Sequence, residues 1–293
     1  MKKILSLGMA ALLVLAASCT GSNPGFKTEK RHYEGSSEHA TLSIDAELPL
    51  ATTEGAAVMR QTLVDVMDKA LSQIDSYAGK RFFPRFDGDT DDSEALFSYY
   101  EKQALDEIAS LAQQACDERA EGILESTTLT DEEKESYLKD MPGWAFDFHL
   151  AKVYETDSYA VFDSQNYIYM GGAHGGVVGD GPMTFDKKSG MRIRDFFAPG
   201  SQDEMQEMLR RGMGEYFKER IEDTGIALDD HLSLNGGPIP LPQWAPCPTA
   251  DGLKLIYQQY EVAPYAAGMP EFTLSYEEVA PFLLPEAKAD LGL

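Results

Sequence analysis

Hydrophobic and polar positions along the chain change their rhythm several times, and each change predicts an element. Leu42, Ile44, Ala46 and Leu48 alternate with polar neighbours, the period of a strand with one buried face. A helix is predicted from about Gly55 to Tyr77, with Val58, Leu63, Val66, Ala70, Leu71 and Ile74 as its apolar stripe. After the acidic run Asp87 to Asp92, Ser93 and Glu94 open a second long helix carrying Leu96, Phe97, Tyr100, Leu105, Ile108, Leu111 and Ala115. Thr130 with Glu133 has the spacing of a capping box, which starts a short third helix ending near Lys139.

Past Pro142 the period returns to two. Trp144, Phe146, Phe148 and Leu150 form a strong strand pattern, Tyr159 to Asp163 a second, and Tyr167 to Met170 a third. Met183 to Asp186 and Met191 to Arg194 flank a turn and read as a hairpin. A helix is expected from Gln202 to Ile221, although Gly212 and Gly214 weaken it. A Gly/Pro-rich loop spans Asn235 to Pro248, strands follow near Leu253–Gln258 and Glu271–Ser275, and a short helix closes around Tyr276–Phe282. Helices and strands segregated in this way predict an α+β fold.

The first residues follow a different logic. Lys2 and Lys3 precede an apolar run from Ile4 to Ala17, the length of a secretion signal and short for a membrane span. Ala16, Ala17 and Ser18 then lead into Cys19, the arrangement a lipoprotein signal peptidase accepts, so lipidation is expected at Cys19. Residues 1–18 are thus expected to be a lipoprotein signal, and 19–39 a tether. An α+β subdomain is expected over 40–165 and a second, intimately packed with it, over 166–293. The sequence style, without an acidic run just after the cysteine, favours an outer-membrane lipoprotein facing the periplasm.

Charge narrows the partners. The formal net charge is −24, from 25 basic and 49 acidic residues. That argues against nucleic acid, whose binding neutralises phosphates with Lys and Arg. It suits solubility and attraction to cationic partners. With Cys19 lipidated, Cys116 and Cys247 remain as an even pair. An oxidising periplasm allows them to bridge; two separate buried thiols are the alternative.

Candidate chemistry is sparse. Gly171 to Gly176 places four glycines around His174 in a loop that is neither a phosphate loop nor a dinucleotide fingerprint. Gly172 and His174 are its candidate ligand-facing residues, with a structural role for the histidine as the alternative. In Tyr257 to Gly268, Tyr260, Glu261 and Tyr265 sit in a Pro/Gly-punctuated loop suited to a sugar or peptide, since tyrosine offers a flat apolar face with a polar tip. The Asp87 to Asp92 cluster resembles part of a calcium loop, yet Ser98 stands where the closing glutamate belongs. No catalytic motif, metal set or cofactor fingerprint is present, so none is assigned.

Taken in order, Tyr169-Met170-Gly171-Gly172-Ala173-His174-Gly175, Asp195-Phe196-Phe197, Asp251-Gly252-Leu253 and Tyr260-Glu261-Val262-Ala263-Pro264-Tyr265 resemble the extracytoplasmic domains of RsiV-like anti-sigma factors. They are also similar to the domains that precede the catalytic part of PdaC-type peptidoglycan deacetylases. The resemblance implies an α+β pair of packed subdomains and, from the RsiV-like members, a receptor for lysozyme. The deacetylase catalytic domain and the sigma-binding segment have no counterpart in this sequence. Two functions follow as expectations. One is a lipid-anchored protein that binds a lysozyme-like protein or a peptidoglycan-related ligand. The other is a glycan hydrolase using His174 and a nearby carboxylate, Glu261 first.

Overall fold

The computed structural model describes residues 27–73, 80–172 and 174–293. The expected signal segment, Cys19, the expected end of the first helix from Ile74 to Tyr77, and Ala173 lie outside the described residues.

The chain opens with strands β1 (Thr28–Ser36) and β2 (Ala40–Pro49) and helices α1 (Glu54–Ser72), α2 (Ser93–Glu125) and α3 (Asp131–Lys139). Strands β3 (Trp144–Glu155), β4 (Tyr159–Met170), β5 (Gly176–Asp186) and β6 (Arg192–Ile193) complete a six-stranded sheet in sequence order. Its pairs are antiparallel except β2 and β3, which run parallel because the three helices form the crossover between them. The second half holds α4 (Ser201–Glu204), α5 (Gln206–Tyr216), α6 (Lys218–Thr224) and α7 (Leu228–His231). Strands β7 (Cys247–Pro248), β8 (Leu253–Ile256) and β9 (Glu271–Leu274) then form an antiparallel three-stranded sheet, followed by α8 (Tyr276–Val279) and α9 (Pro285–Leu291). The fold class is α+β, as the sequence predicts.

Two large hydrophobic cores result among the described residues, with a small third cluster of Tyr159, Val161 and Cys247. In the first, Leu42, Ile44, Phe146, Phe148, Phe162 and Phe185 on one face of the large sheet meet α1 and α2. The register sets Leu42 beside Phe146 and Ile44 beside Phe148, so both strands turn their apolar rows the same way. The second core gathers Phe196, Met205, Leu209, Met213, Phe217, Leu255 and Tyr257. Gly212 is where α5 comes closest to β9: a Cβ there would strike the Phe272 ring. The expected single helix over 202–221 is instead three, and the junction residues Met205 and Phe217 are fully buried.

Three boundaries differ from the expected ones. The expected tether contains β1, which pairs with β2 from Thr41 to Pro49 and sends Arg31 to Glu101 of α2. The division expected at 165/166 falls inside β4; the two cores change over after β6. The two strands expected at Tyr159–Asp163 and Tyr167–Met170 are one, β4, and the bulge opposite Ser164–Asn166 is on β5, at Gly179 and Asp180.

The expected Cys116–Cys247 bridge is not formed; both thiols are free and buried. Cys116 continues the buried stripe Ala104–Ile108–Ala112 of α2, whereas Cys247 packs on Tyr159 and Val161. Ala160 and Phe162 face the helices, so Tyr159 and Val161 point to the other side and the sheet stands between the two sulfurs. Burial pushes the Cys247 thiol up to about 11, which leaves it protonated and unreactive at neutral pH.

Candidate functional site

The loop between β4 and β5 and the loop between β8 and β9 meet at one exposed spot. His174 comes from the first and Tyr260 and Tyr265 from the second. The imidazole stacks on Tyr265, with ring centroids 3.9 Å apart and planes 22° from parallel. Tyr260 completes the group at 5.7 Å from the Tyr265 ring. The Gly175 carbonyl lies 2.9 Å from His174 Nδ1 and can only accept, so in the neutral ring the proton sits on Nδ1. Nε2 then accepts from the Tyr260 hydroxyl at 3.3 Å.

Backbone geometry holds these rings out. Tyr260 has φ +68°, a conformation L residues seldom take, and is 63% exposed. The neighbours on either side are anchored. Gln259 Oε1 accepts from the Val177 amide of β5 at 3.1 Å. Glu261 Oε1 accepts from the Gln243 amide at 2.7 Å, and Oε2 from the Gln258 amide at 2.8 Å. Both carboxylate oxygens therefore brace the loop. Gly175 lies where a Cβ would strike the Tyr167 ring, while Gly171 takes φ +70°.

Of the residues singled out from sequence, His174, Tyr260 and Tyr265 come together and Glu261 supports them. Gly172 provides no close backbone approach: it is exposed, and an added Cβ would meet nothing within 4 Å. The Asp87–Asp92 run serves structure. Asp92 caps α2 by accepting from the Ala95 amide, and Asp89 accepts from the Asp91 amide. Among the described residues, no group of three or more His, Cys, Asp or Glu is placed to hold a metal. Also among the described residues, no helix is long and apolar enough to cross a membrane.

Polar residues that sequence patterns did not flag lie on β4. Asp163, Ser164 and Asn166 carry buried oxygens that accept or donate no hydrogen bond among the described residues. Their only sequence signal is the polar run Asp163-Ser164-Gln165-Asn166 inside an otherwise apolar strand.

Residues 194–277 match the family model described as "Protein of unknown function (DUF3298)". That segment is similar to DUF3298 domains. The match starts beside β6 and ends in α8, so it covers most of the second core. Tyr260 and Tyr265 belong to the matched segment and His174 does not; the ring cluster joins that segment to the large sheet.

Two solved structures share the fold. A DUF3298 family protein from Pseudomonas aeruginosa PAO1 aligns over 89% of this chain and 96% of its own, with TM-score 0.55 and 16% identity. A member of the same family from Bacteroides fragilis NCTC 9343 aligns over 92% and 98%, with TM-score 0.61 and 15% identity. At these identities the likeness is one of fold. No curated protein matches the chain.

Proposed function

We propose that this protein is a binding protein of the bacterial cell envelope, carried on a lipid at Cys19, that recognises a cationic lysozyme-like protein through His174, Tyr260 and Tyr265. The observation that carries the reading is the exposed cluster itself. Three rings from two loops are held at the surface, with Tyr260 in a backbone conformation the surrounding bonds must maintain. Exposed aromatics of this kind anchor protein interfaces. Hydrolysis needs a free carboxylate beside the histidine, and Glu261 is committed to two backbone amides.

The net charge of −24 supplies attraction to a basic partner over about one Debye length, roughly 8 Å at physiological salt. The resemblance to RsiV-like domains supplies the candidate partner. The small residues before Cys19 support the lipid anchor, and the lack of an acidic run just after it supports the periplasmic face of the outer membrane.

Calorimetry of the mature domain against lysozyme, at low and physiological salt, tests the reading. Binding is expected to persist at physiological salt and to weaken at least tenfold, about 1.4 kcal/mol, in Tyr260→Ala. An equally basic unrelated protein should not bind. Loss of binding at physiological salt, equal binding of the unrelated protein, or turnover of peptidoglycan fragments that depends on His174 would each overturn it.

A further inference from the structure

Behind the ring cluster, between α1 and the bulge of the large sheet, lies a cavity of about 250 Å³. That is many times the roughly 10–15 Å³ one buried water needs, and somewhat below the roughly 300–1,000 Å³ of pockets for drug-sized ligands. Val66 and Ala70 of α1 and Ile168 of β4 give it apolar walls. Ser164, Asn166, Gln73 and Gln258 give it hydrogen-bonding groups.

The backbone around it is built to a special shape. β5 carries one extra residue here, Gly179 and Asp180 standing opposite Gln165 alone, while Ser164 and Asn166, two apart on β4, both face α1. Opposite them Gly179 has φ +139°, and a Cβ there would lie 2.5 Å from the Ser164 carbonyl oxygen. Trp244 Nε1 donates to the Gly179 carbonyl at 3.1 Å and fixes the strand from behind.

Two groups on this floor are unsatisfied. Ser164 is 1% exposed and Asn166 5% exposed, and Ser164 Oγ and Asn166 Oδ1 have no hydrogen-bond partner among the described residues. Leaving such groups unpaired costs stability, which a bound molecule restores. The amide oxygen can only accept, whereas the serine hydroxyl donates and accepts. A carboxylate cannot donate to Asn166. An ammonium cannot accept from Ser164 and would bury a charge beside neutral groups. A hydroxyl meets both demands. Of the charged residues that line the cavity, Lys69 is exposed and Asp180 is paired with Arg192 at 3.4 Å, so the buried floor is neutral.

We infer that this cavity is a binding site for a small, neutral, hydroxyl-rich molecule of single-sugar size, held by Ser164 and Asn166. The site is separate from the proposed protein-binding surface and does not rest on it.

The test uses the full mature chain, with glucose, mannose and N-acetylglucosamine as probes and alanine as a zwitterionic control. At least one saccharide should raise the melting temperature and give a calorimetric Kd. Ser164→Ala and Asn166→Leu should each weaken that Kd at least tenfold. The ligand-free variants should melt at or above the parent temperature, since each removes an unsatisfied group. Tyr260→Ala should bind the saccharide as the parent does, so failure of the surface reading leaves this result intact. A cavity that holds solvent alone gives no binding by any saccharide, and that outcome overturns the inference. So does equal binding of alanine, saccharide affinity indifferent to both cavity variants, or affinity lost in Tyr260→Ala.

Discussion

Asp163 points from β4 away from the first core, into the ground between the two sheets. Its Oδ2 accepts from Gln165 Nε2 at 2.8 Å, and its Oδ1 is buried without a partner among the described residues. Burial raises its pKa, and the nearby Glu271 adds to this; the Gln165 hydrogen bond and the charges of His149 and Lys254 oppose it without cancelling it. The folded state therefore holds this proton more tightly than the unfolded chain does. Stability from Asp163 is complete below the ordinary carboxylate pKa of about 3.9 and declines as pH rises through the higher folded value. Asp163→Asn is expected to raise Tm at pH 7 by about 2 °C, the shift ~1 kcal/mol produces in a domain of this size. The gain should shrink as the pH is lowered toward 4. A variant that melts below the parent at pH 7 would show that the charge is stabilising. Asp68 has the opposite sense. Burial pushes its pKa up, but hydrogen bonds from Arg81 and Tyr100 outweigh this and hold it low, so its contribution is lost as pH falls.

At the scale of elements, what sequence patterns reveal depends on whether buried positions are apolar. The capping box at Thr130 and Glu133 forms as its spacing requires, and β3 follows its alternation. The stripe of α1 is rotated from the expected one: Met59, Leu63, Val64, Met67 and Leu71 are buried, while Val58 is 36% exposed. The buried face also carries Arg60 and Asp68, which look like surface residues until their partners on distant segments are known. β4 was legible only in halves for the same reason, because Ser164 and Asn166 are polar and buried. The ring cluster was legible as two separate loops; their convergence is set by the Gln259–Val177 hydrogen bond, a contact between segments far apart in the chain.

Glycines obey the same division between local and distant causes. Gly172, conspicuous in its cluster, has room for a side chain, so Gly172→Ala should melt within about 1 °C of the parent, as surface changes do. Gly252 stands alone in Asp251-Gly252-Leu253, has φ +149°, and faces the Leu274 carbonyl so closely that a Cβ would collide with it. Gly252→Ala should cost more than about 1 kcal/mol in urea denaturation. Equal melting of the two variants would refute the geometric distinction.

For the whole molecule, the decisive question is where the folded unit begins. Charged residues crowd Thr28–Ser36, with Glu29, Lys30 and Arg31 in a row, a composition that protects an exposed edge strand from further pairing, and this disguises the segment as a tether. Its contacts are structural. Glu29 is the carboxylate that Arg60 Nη1 reaches at 2.6 Å, and the Arg60 side chain is 3% exposed. Tyr33 packs on the first core, and Arg31 donates to both oxygens of Glu101, 2.5 Å from Nε and 3.0 Å from Nη2. A chain that starts at Ala40 would leave Arg60 buried without that carboxylate and uncover the edge of β2. Breaking a buried ion pair alone costs about 3–5 kcal/mol, a large share of the roughly 5–15 kcal/mol that holds a typical native protein folded. A chain that starts at Lys27 loses neither contact. The two truncations should therefore separate sharply in urea. The Lys27 chain should unfold at the midpoint of a chain that starts at Cys19, and the Ala40 chain should aggregate or unfold without a cooperative transition. Glu29→Ala in the longer chain isolates the ion pair from the strand and should lower stability by about 3 kcal/mol, the low end of that range, since Arg60 keeps Asp91 and the carbonyls of Pro49 and Thr90. If the Ala40 chain unfolds as the Lys27 chain does, β1 is an accessory to the sheet and the folded unit starts at β2.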